Sequence, residues 1–124
     1  MDIKPIDWET HVKPWTGIAS RERVALGDTN GNEWFGAFDG DDLAAIAFMR
    51  RRGSKVRLGG MFTHPDYRGR GFGDALTKWR IDRAVSSFAS MIDCYSVNPP
   101  YWVELGFRNY GQNAHGVIRL VKIV

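Results

Sequence analysis

The spacing of apolar positions changes several times along the chain, and each change marks a new element. From Glu33 onward the apolar residues fall in short alternating or continuous runs, the pattern of strands. Glu33-Trp34-Phe35-Gly36-Ala37-Phe38 is rich in aromatics, and Asp39-Gly40-Asp41 supplies a hairpin signal. Leu43 to Met49 is apolar on both faces, which predicts a central strand covered on two sides. After the polar turn Arg50-Arg51-Arg52-Gly53-Ser54-Lys55, Val56 to Thr63 reads as the next strand, with a bulge at Gly59-Gly60. From Phe72 to about Ala89 the period turns helical and shows two stripes. Phe72, Ala75, Leu76 and Trp79 make one; Ile81, Ala84, Val85 and Phe88 lie nearly opposite. The second stripe predicts that the end of this helix packs on something besides the sheet, such as N-terminal helices.

Met91 to Val97 returns to the strand pattern. Because it follows a helix, it should lie parallel to the preceding strand through a right-handed crossover. Asn98-Pro99-Pro100 breaks it, and Tyr101 to Leu105 leaves room for a turn or so of helix, ended by Gly106. Phe107 to Tyr110 and Gly116 to Val124 then form a closing antiparallel hairpin around Gly111-Gln112-Asn113. At the other end, Ile3 to Ile6 fits an edge strand because of Pro5. Asp7 is placed to cap a helix over Trp8 to Val12 that Pro14 stops, and Ser20 to Arg23 opens a second helical stretch ending at Gly27. Trp8 and Trp15 read as core or lid residues. The fold class is α/β (mixed α+β): one mostly antiparallel sheet of six to seven strands with a parallel central pair and helices on both faces.

Composition narrows the setting. The 124 residues suit a single domain over 1–124, and 44% apolar with 25% charged residues excludes a disordered chain. No run reaches the roughly 18–20 apolar residues of a membrane span. The start, Met1-Asp2-Ile3-Lys4-Pro5, has no signal-peptide pattern. The one cysteine, Cys94, excludes an internal disulfide and leads us to expect a cytoplasmic protein. A net charge of +3 and a pI near 9.2 suit a polyanionic cofactor, an acidic partner or nucleic acid, without separating them.

The chemistry concentrates between Gly59 and Leu76. A strand runs into His64-Pro65, a basic glycine loop follows at Arg68-Gly69-Arg70-Gly71-Phe72-Gly73, and a helix begins at once. Backbone N–H groups and the positive end of the helix dipole converge there, which makes an anion site. The loop lacks the Gly-Lys-Ser/Thr ending of a P-loop. Nor is it a dinucleotide fold's loop: Asp93 sits at the offset of an acidic ribose partner from Gly73, but four strands precede the loop and the rest of the pattern is missing.

Together with Trp102-Val103-Glu104-Leu105-Gly106-Phe107, the stretch Thr63-His64-Pro65-Asp66-Tyr67-Arg68-Gly69-Arg70-Gly71-Phe72-Gly73 resembles the signatures of the GCN5-related N-acetyltransferase (GNAT) superfamily. The order of elements from Glu33 to Val124, about three-quarters of the chain, is similar as well. The resemblance implies acetyl-CoA as cosubstrate and an amine as acceptor. It implies that the backbone N–H groups of Arg68, Gly69, Arg70, Gly71, Phe72 and Gly73 hold the pyrophosphate. Met61, Phe62 and Thr63 would pair their backbone with the pantetheine amides, and Asn98 would touch the cofactor arm. The bulge at Gly59-Gly60 would splay its strand from Met91–Val97 and open a slot for the thioester.

Two catalytic positions depart from that pattern. Four residues before Gly106, where a tyrosine acid is usual, stands Trp102, and Tyr101 lies one residue early; the usual glutamate position holds Gly60. Tyr101 and Asp93 are the candidate catalytic side chains. Asp93 and Tyr95 share one face of their strand and Cys94 and Ser96 the other, so either pair can border the slot. Cys94 is not needed as a nucleophile in direct transfer, His64 reads as a turn residue, and no metal-ligand spacing occurs. Two alternatives stand beside the enzyme. One is a catalytically altered CoA-binding module. The other, less favoured, is a nucleic-acid-directed protein using Arg50-Arg51-Arg52, Lys55 and Arg57 on phosphates. No membrane partner is expected, and a homodimer is compatible with the sequence.

Overall fold

The computed structural model describes residues 1–113 and 115–124. Seven strands form one sheet: β1 (Asp2–Pro5), β2 (Asn32–Asp39), β3 (Asp42–Arg52), β4 (Lys55–Thr63), β5 (Met91–Ser96), β6 (Arg108–Gln112) and β7 (Ile118–Ile123). Their spatial order is β1-β2-β3-β4-β5-β7-β6. Every neighbouring pair is antiparallel except β4 and β5, which are joined by the crossover helix α2 (Phe72–Ser86). Two shorter helices, α1 (Thr16–Arg21) and α3 (Pro99–Glu104), complete the set with a π-helical turn at Trp8–Val12 and a 3-10 turn at Lys13–Trp15. Among the described residues, no helix is long and apolar enough to cross a membrane.

Alternation along β3 divides the core. Ala47 and Met49 face α2 and join Phe35, Leu58, Leu76, Ile92 and Leu120. Ile46 and Phe48 face the other way, where Val12, Ala19, Trp34 and Phe62 pack beneath the N-terminal turns and α1. Trp8 and Trp15 belong to this second cluster, with rings 5.8 Å from Trp34 and 6.1 Å from Phe62. A strand apolar on both faces is thus covered on both.

The two-stripe reading of α2 is corrected. The helix buries one face, made of Phe72, Leu76, Thr77, Arg80, Ile81 and Ala84. Val85 is 43% exposed and Phe88 90% exposed, and the N-terminal helices lie across the sheet from them. The buried stripe contains an arginine and a threonine, so a hydropathy pattern counts it as polar and promotes the outward residues in its place.

Two features position the site. The β3–β4 register pairs Ile46 with Phe62 but Phe48 with Gly59, so Gly60 and Met61 both stand opposite Ala47. This is the expected bulge. The parallel ladder between β4 and β5 covers only Lys55–Arg57 against Met91–Asp93. Past Arg57 the two strands diverge. The closing hairpin forms, but β6 runs through Gly111 and Gln112, where the sequence predicts the turn, and pairs Gln112 with Ile118; β7 rather than β6 lies against β5.

Candidate active site

At the end of β4 the chain makes a 3-10 turn over Pro65–Tyr67, with the Asp66 N–H donating to His64 Nδ1 at 3.1 Å. His64 is the turn residue the sequence suggested. The chain then passes through Arg68 to Gly71, which sits in the left-handed region (φ 85°) immediately before α2. Only glycine takes that conformation cheaply, and glycine brings no side chain to cap the helix. The first-turn N–H groups of α2 therefore face outward with no side-chain acceptor. That arrangement suits a diphosphate.

The two loop arginines do not reach towards it. Arg68 pairs with Glu22 at 2.6 Å and donates to the Thr63 carbonyl at 3.2 Å, while Arg70 pairs with Asp39 at 2.9 Å. Their side chains brace the loop against α1 and the β2–β3 turn. That leaves the backbone as the group free to meet an anion.

Between the diverging halves of β4 and β5 lies a cleft of about 480 Å³. Met61 from β4, Cys94, Tyr95 and Ser96 from β5, Gly73 and Asp74 from α2, and Asn98, Tyr101 and Trp102 all line it. Asn98 precedes α3 and makes no capping bond with its side chain. Phe62 points away, into the second core cluster, and does not line the cleft.

Arg80 seals the cleft on the α2 side. It is 1% exposed, and among the described residues no carboxylate pairs with it. Its guanidinium donates to the carbonyls of Phe48 (3.0 Å), Gly59 (3.3 Å) and Leu76 (3.4 Å) and to Thr77 Oγ1 (3.3 Å). The first two flank the bulge, where the ladder is interrupted. Burial pulls Arg80 down to about 10, so it stays charged at neutral pH. A cation stripped of water is costly. Here it satisfies backbone carbonyls that the bulge would otherwise leave unpaired.

Tyr101 reaches back across the cleft mouth, and its hydroxyl donates to Asp74 Oδ1 at 2.6 Å. Burial and then the hydrogen bond to Asp74 push the phenol up to about 12, which keeps it protonated. The bonds from Tyr101 and Lys78 hold Asp74 below its usual value, so it is ionised. Asp74 is the only carboxylate lining the cleft among the described residues. Cys94 borders the same space, but burial pushes its thiol up to about 12. It is no thiolate nucleophile at neutral pH.

Comparison with known proteins now decides the family. No curated protein sequence matches the chain. The sequence profile of the Acetyltransferase (GNAT) family matches residues 1–107. The chain belongs to this family. Among solved structures, the ribosomal-protein-S18-alanine N-acetyltransferase of Escherichia coli superposes with a TM-score of 0.80 at 16% identity, covering 99% of this chain and 93% of that one. A Bacillus subtilis acetyltransferase in complex with CoA gives 0.72 at 18% identity, over 98% of this chain and 97% of that one. A GNAT family acetyltransferase from Elizabethkingia anophelis with acetyl-CoA bound gives 0.74 at 14% identity, over 99% and 97%. Acetyl-CoA is the cosubstrate of GNAT proteins.

In this GNAT chain Asp93 is not where the sequence reading put it. It is 8% exposed, outside the cleft, on the sheet face away from α2. Its carboxylate accepts two bonds from Arg57 (3.1 and 2.8 Å) and one from Arg119 (3.2 Å). Strand alternation is the reason: Cys94 turns towards α2, so Asp93 must turn the other way. Desolvation works to raise its pKa, yet the bonds and charge of Arg57 and then Arg119 outweigh it and leave the group lowered. A depressed carboxylate stabilises the fold above its unfolded value near 4, and that stability is lost as pH falls through the lower folded value. Asp93→Asn should cost about 1–2 kcal/mol at pH 7 and progressively less as pH falls below the unfolded value and through the lower folded one, read as urea midpoints at neutral and acid pH. A gap that persists at low pH would remove the ion pair from the account.

Asp74, Thr77 and Arg80 are the lining residues that sequence reasoning missed. Asp74 gave a faint signal, an acid in the first turn after the glycine loop, but such residues are ordinarily read as partners of the helix dipole. Arg80 gave none.

Proposed function

We propose that the protein transfers the acetyl group of acetyl-CoA to an amine by direct attack in a ternary complex. The observation that carries this reading is the side-chain-free N-terminus of α2 at Gly71, opening onto the cleft between β4 and β5. The backbone of Arg68, Gly69, Arg70, Gly71, Phe72 and Gly73 would hold the pyrophosphate. The backbone of Met61, Phe62 and Thr63, with the Asn98 side chain, would hold the pantetheine arm. The bulge N–H groups at Gly60 and Met61 offer a donor to the carbonyl oxygen as it gains charge. Arg80 fixes the bulge that aims them.

Tyr101 and Asp74 act as a pair. As the C–N bond forms and the C–S bond breaks, Tyr101 gives its proton to the departing sulfur. The surplus proton of the amine nitrogen returns to the Tyr101–Asp74 pair, which restores the starting state and balances the exchange. With Gly60 in place of the usual glutamate, Asp74 is the carboxylate left in the cleft to receive that proton. The test is a panel of amines incubated with acetyl-CoA and analysed for acetylated product by mass spectrometry. Acetyl transfer to at least one class of amine is expected; no transfer beyond spontaneous aminolysis, with acetyl-CoA bound, would favour a catalytically altered CoA-binding module.

A further inference from the structure

Beside the cleft, on the sheet face away from α2, lies a depression of about 260 Å³ lined by Arg50, Arg52, Lys55, Arg57, Asp93 and Arg119. Five cations face one carboxylate. Register explains the gathering, since Arg50 pairs with Arg57, Arg52 with Lys55, and Arg57 with Asp93 across three adjacent strands. Like charges directly opposite one another destabilise a sheet. Asp93 answers Arg57 and Arg119 only. Arg50 is held by the neutral Asn32 Oδ1 at 3.2 Å and the ring of Phe48. Arg52 and Lys55 have no acidic partner among the described residues.

The depression adjoins the reaction cleft. Tyr95 lies two residues beyond Asp93 on the same face and lines the cleft, and the Arg57 guanidinium stands 5.0 Å from its ring centre. On the opposite face α2 and the buried Arg80 close the sheet, which leaves the side of Tyr95, next to these cations, for an incoming amine. Resting on the acetyltransferase reading above, we propose that the depression is an acceptor subsite and that the acceptor is a small amine bearing a phosphate or carboxylate group. The two-residue step from Asp93 to Tyr95 sets anion and amine on the order of 7 Å apart.

The same geometry weighs against a nucleic-acid track. The cations enclose one compact space with a carboxylate inside it. Arg51, the middle of the basic run, turns to the other face and donates to the Ser87 carbonyl at 2.9 Å and hydroxyl at 2.6 Å.

The test uses the full chain and begins with acetyl-CoA titration alone. The protein, saturated with acetyl-CoA so that the glycine loop is filled, is then titrated calorimetrically with inorganic phosphate, with succinate and with a single-stranded RNA oligonucleotide. Saturable binding of phosphate or succinate is expected, weakened at least tenfold in the Arg52→Gln/Lys55→Gln variant, with acetyl-CoA affinity unchanged within about twofold. Which of the two anions binds more tightly identifies the group on the acceptor. Equal anion affinity in the variant, or no binding of either anion, overturns the subsite while leaving the acetyl-CoA site standing. Oligonucleotide binding tighter than either small anion, and lost in the variant, overturns it in favour of nucleic acid. Absence of acetyl-CoA binding in the first titration overturns the enzyme reading and the subsite with it.

Discussion

Tyr101→Phe is expected to lower kcat by about a hundredfold or more, while the Kd for acetyl-CoA should stay within about threefold. The hydroxyl lies in the cleft and donates to Asp74 at 2.6 Å, and its pKa of about 12 means it carries its proton throughout the working range. Removing it would delete the proposed proton source for the departing sulfur and leave the ring in place. The loss should be flat between about pH 6 and 9, because the phenol does not titrate in that window. The measurement is steady-state release of CoA thiol with the best amine of a panel, paired with calorimetry for the cosubstrate. Unchanged turnover at neutral pH would dismiss the acid role.

The second large effect is on the fold. Gly60 holds φ at 64°, and a Cβ built there would stand 2.6 Å from Phe48 Cδ2 and 2.7 Å from Trp34 Cη2. Both neighbours are ring atoms of packed aromatics, so neither yields without moving the second core cluster. Gly60→Glu, the change that would restore the usual carboxylate of the family, should therefore destabilise the protein by about 4 kcal/mol or more, combining left-handed strain with overpacking. Thermal unfolding should shift down by on the order of 15 °C. The variant is expected to gain no activity. A folded Gly60→Glu protein with raised turnover would mean the bulge is wrongly described. The aromatic rings thus explain why this chain lacks a base at that position: the space is already filled.

Much of the frame was legible because short-range chemistry dictates it. The glycine pair marked the bulge, the proline pair ended β5, and the His-Pro turn with its glycine loop placed the helix start. Each depends on backbone conformations that few residues adopt. What escaped the sequence depends on which way a side chain turns. Asp93 and Cys94 are adjacent, and nothing local says which of them faces α2; the packing of Leu58, Ile92 and Leu120 decides it. Tyr101 stood one residue from its expected place, yet α3 turns it onto Asp74, a contact between residues 27 apart in sequence. Arg80 was invisible for a different reason. Its partners are backbone carbonyls at a bulge, and a carbonyl leaves no mark in a sequence.

The proposed transfer rests on acetyl-CoA seated at the glycine loop, and calorimetric titration of the full chain addresses that claim directly. Gly71→Val is the control. A Cβ at this position meets no protein atom within 4 Å, so valine clashes with nothing, but φ at 85° is closed to it, and the strained backbone must rotate the cradle of N–H groups. The account predicts one saturable site with a Kd of tens of micromolar or tighter (about −6 kcal/mol or more favourable), weakened at least tenfold by Gly71→Val. No saturable heat in the wild type, or an affinity that Gly71→Val leaves untouched, would contradict it.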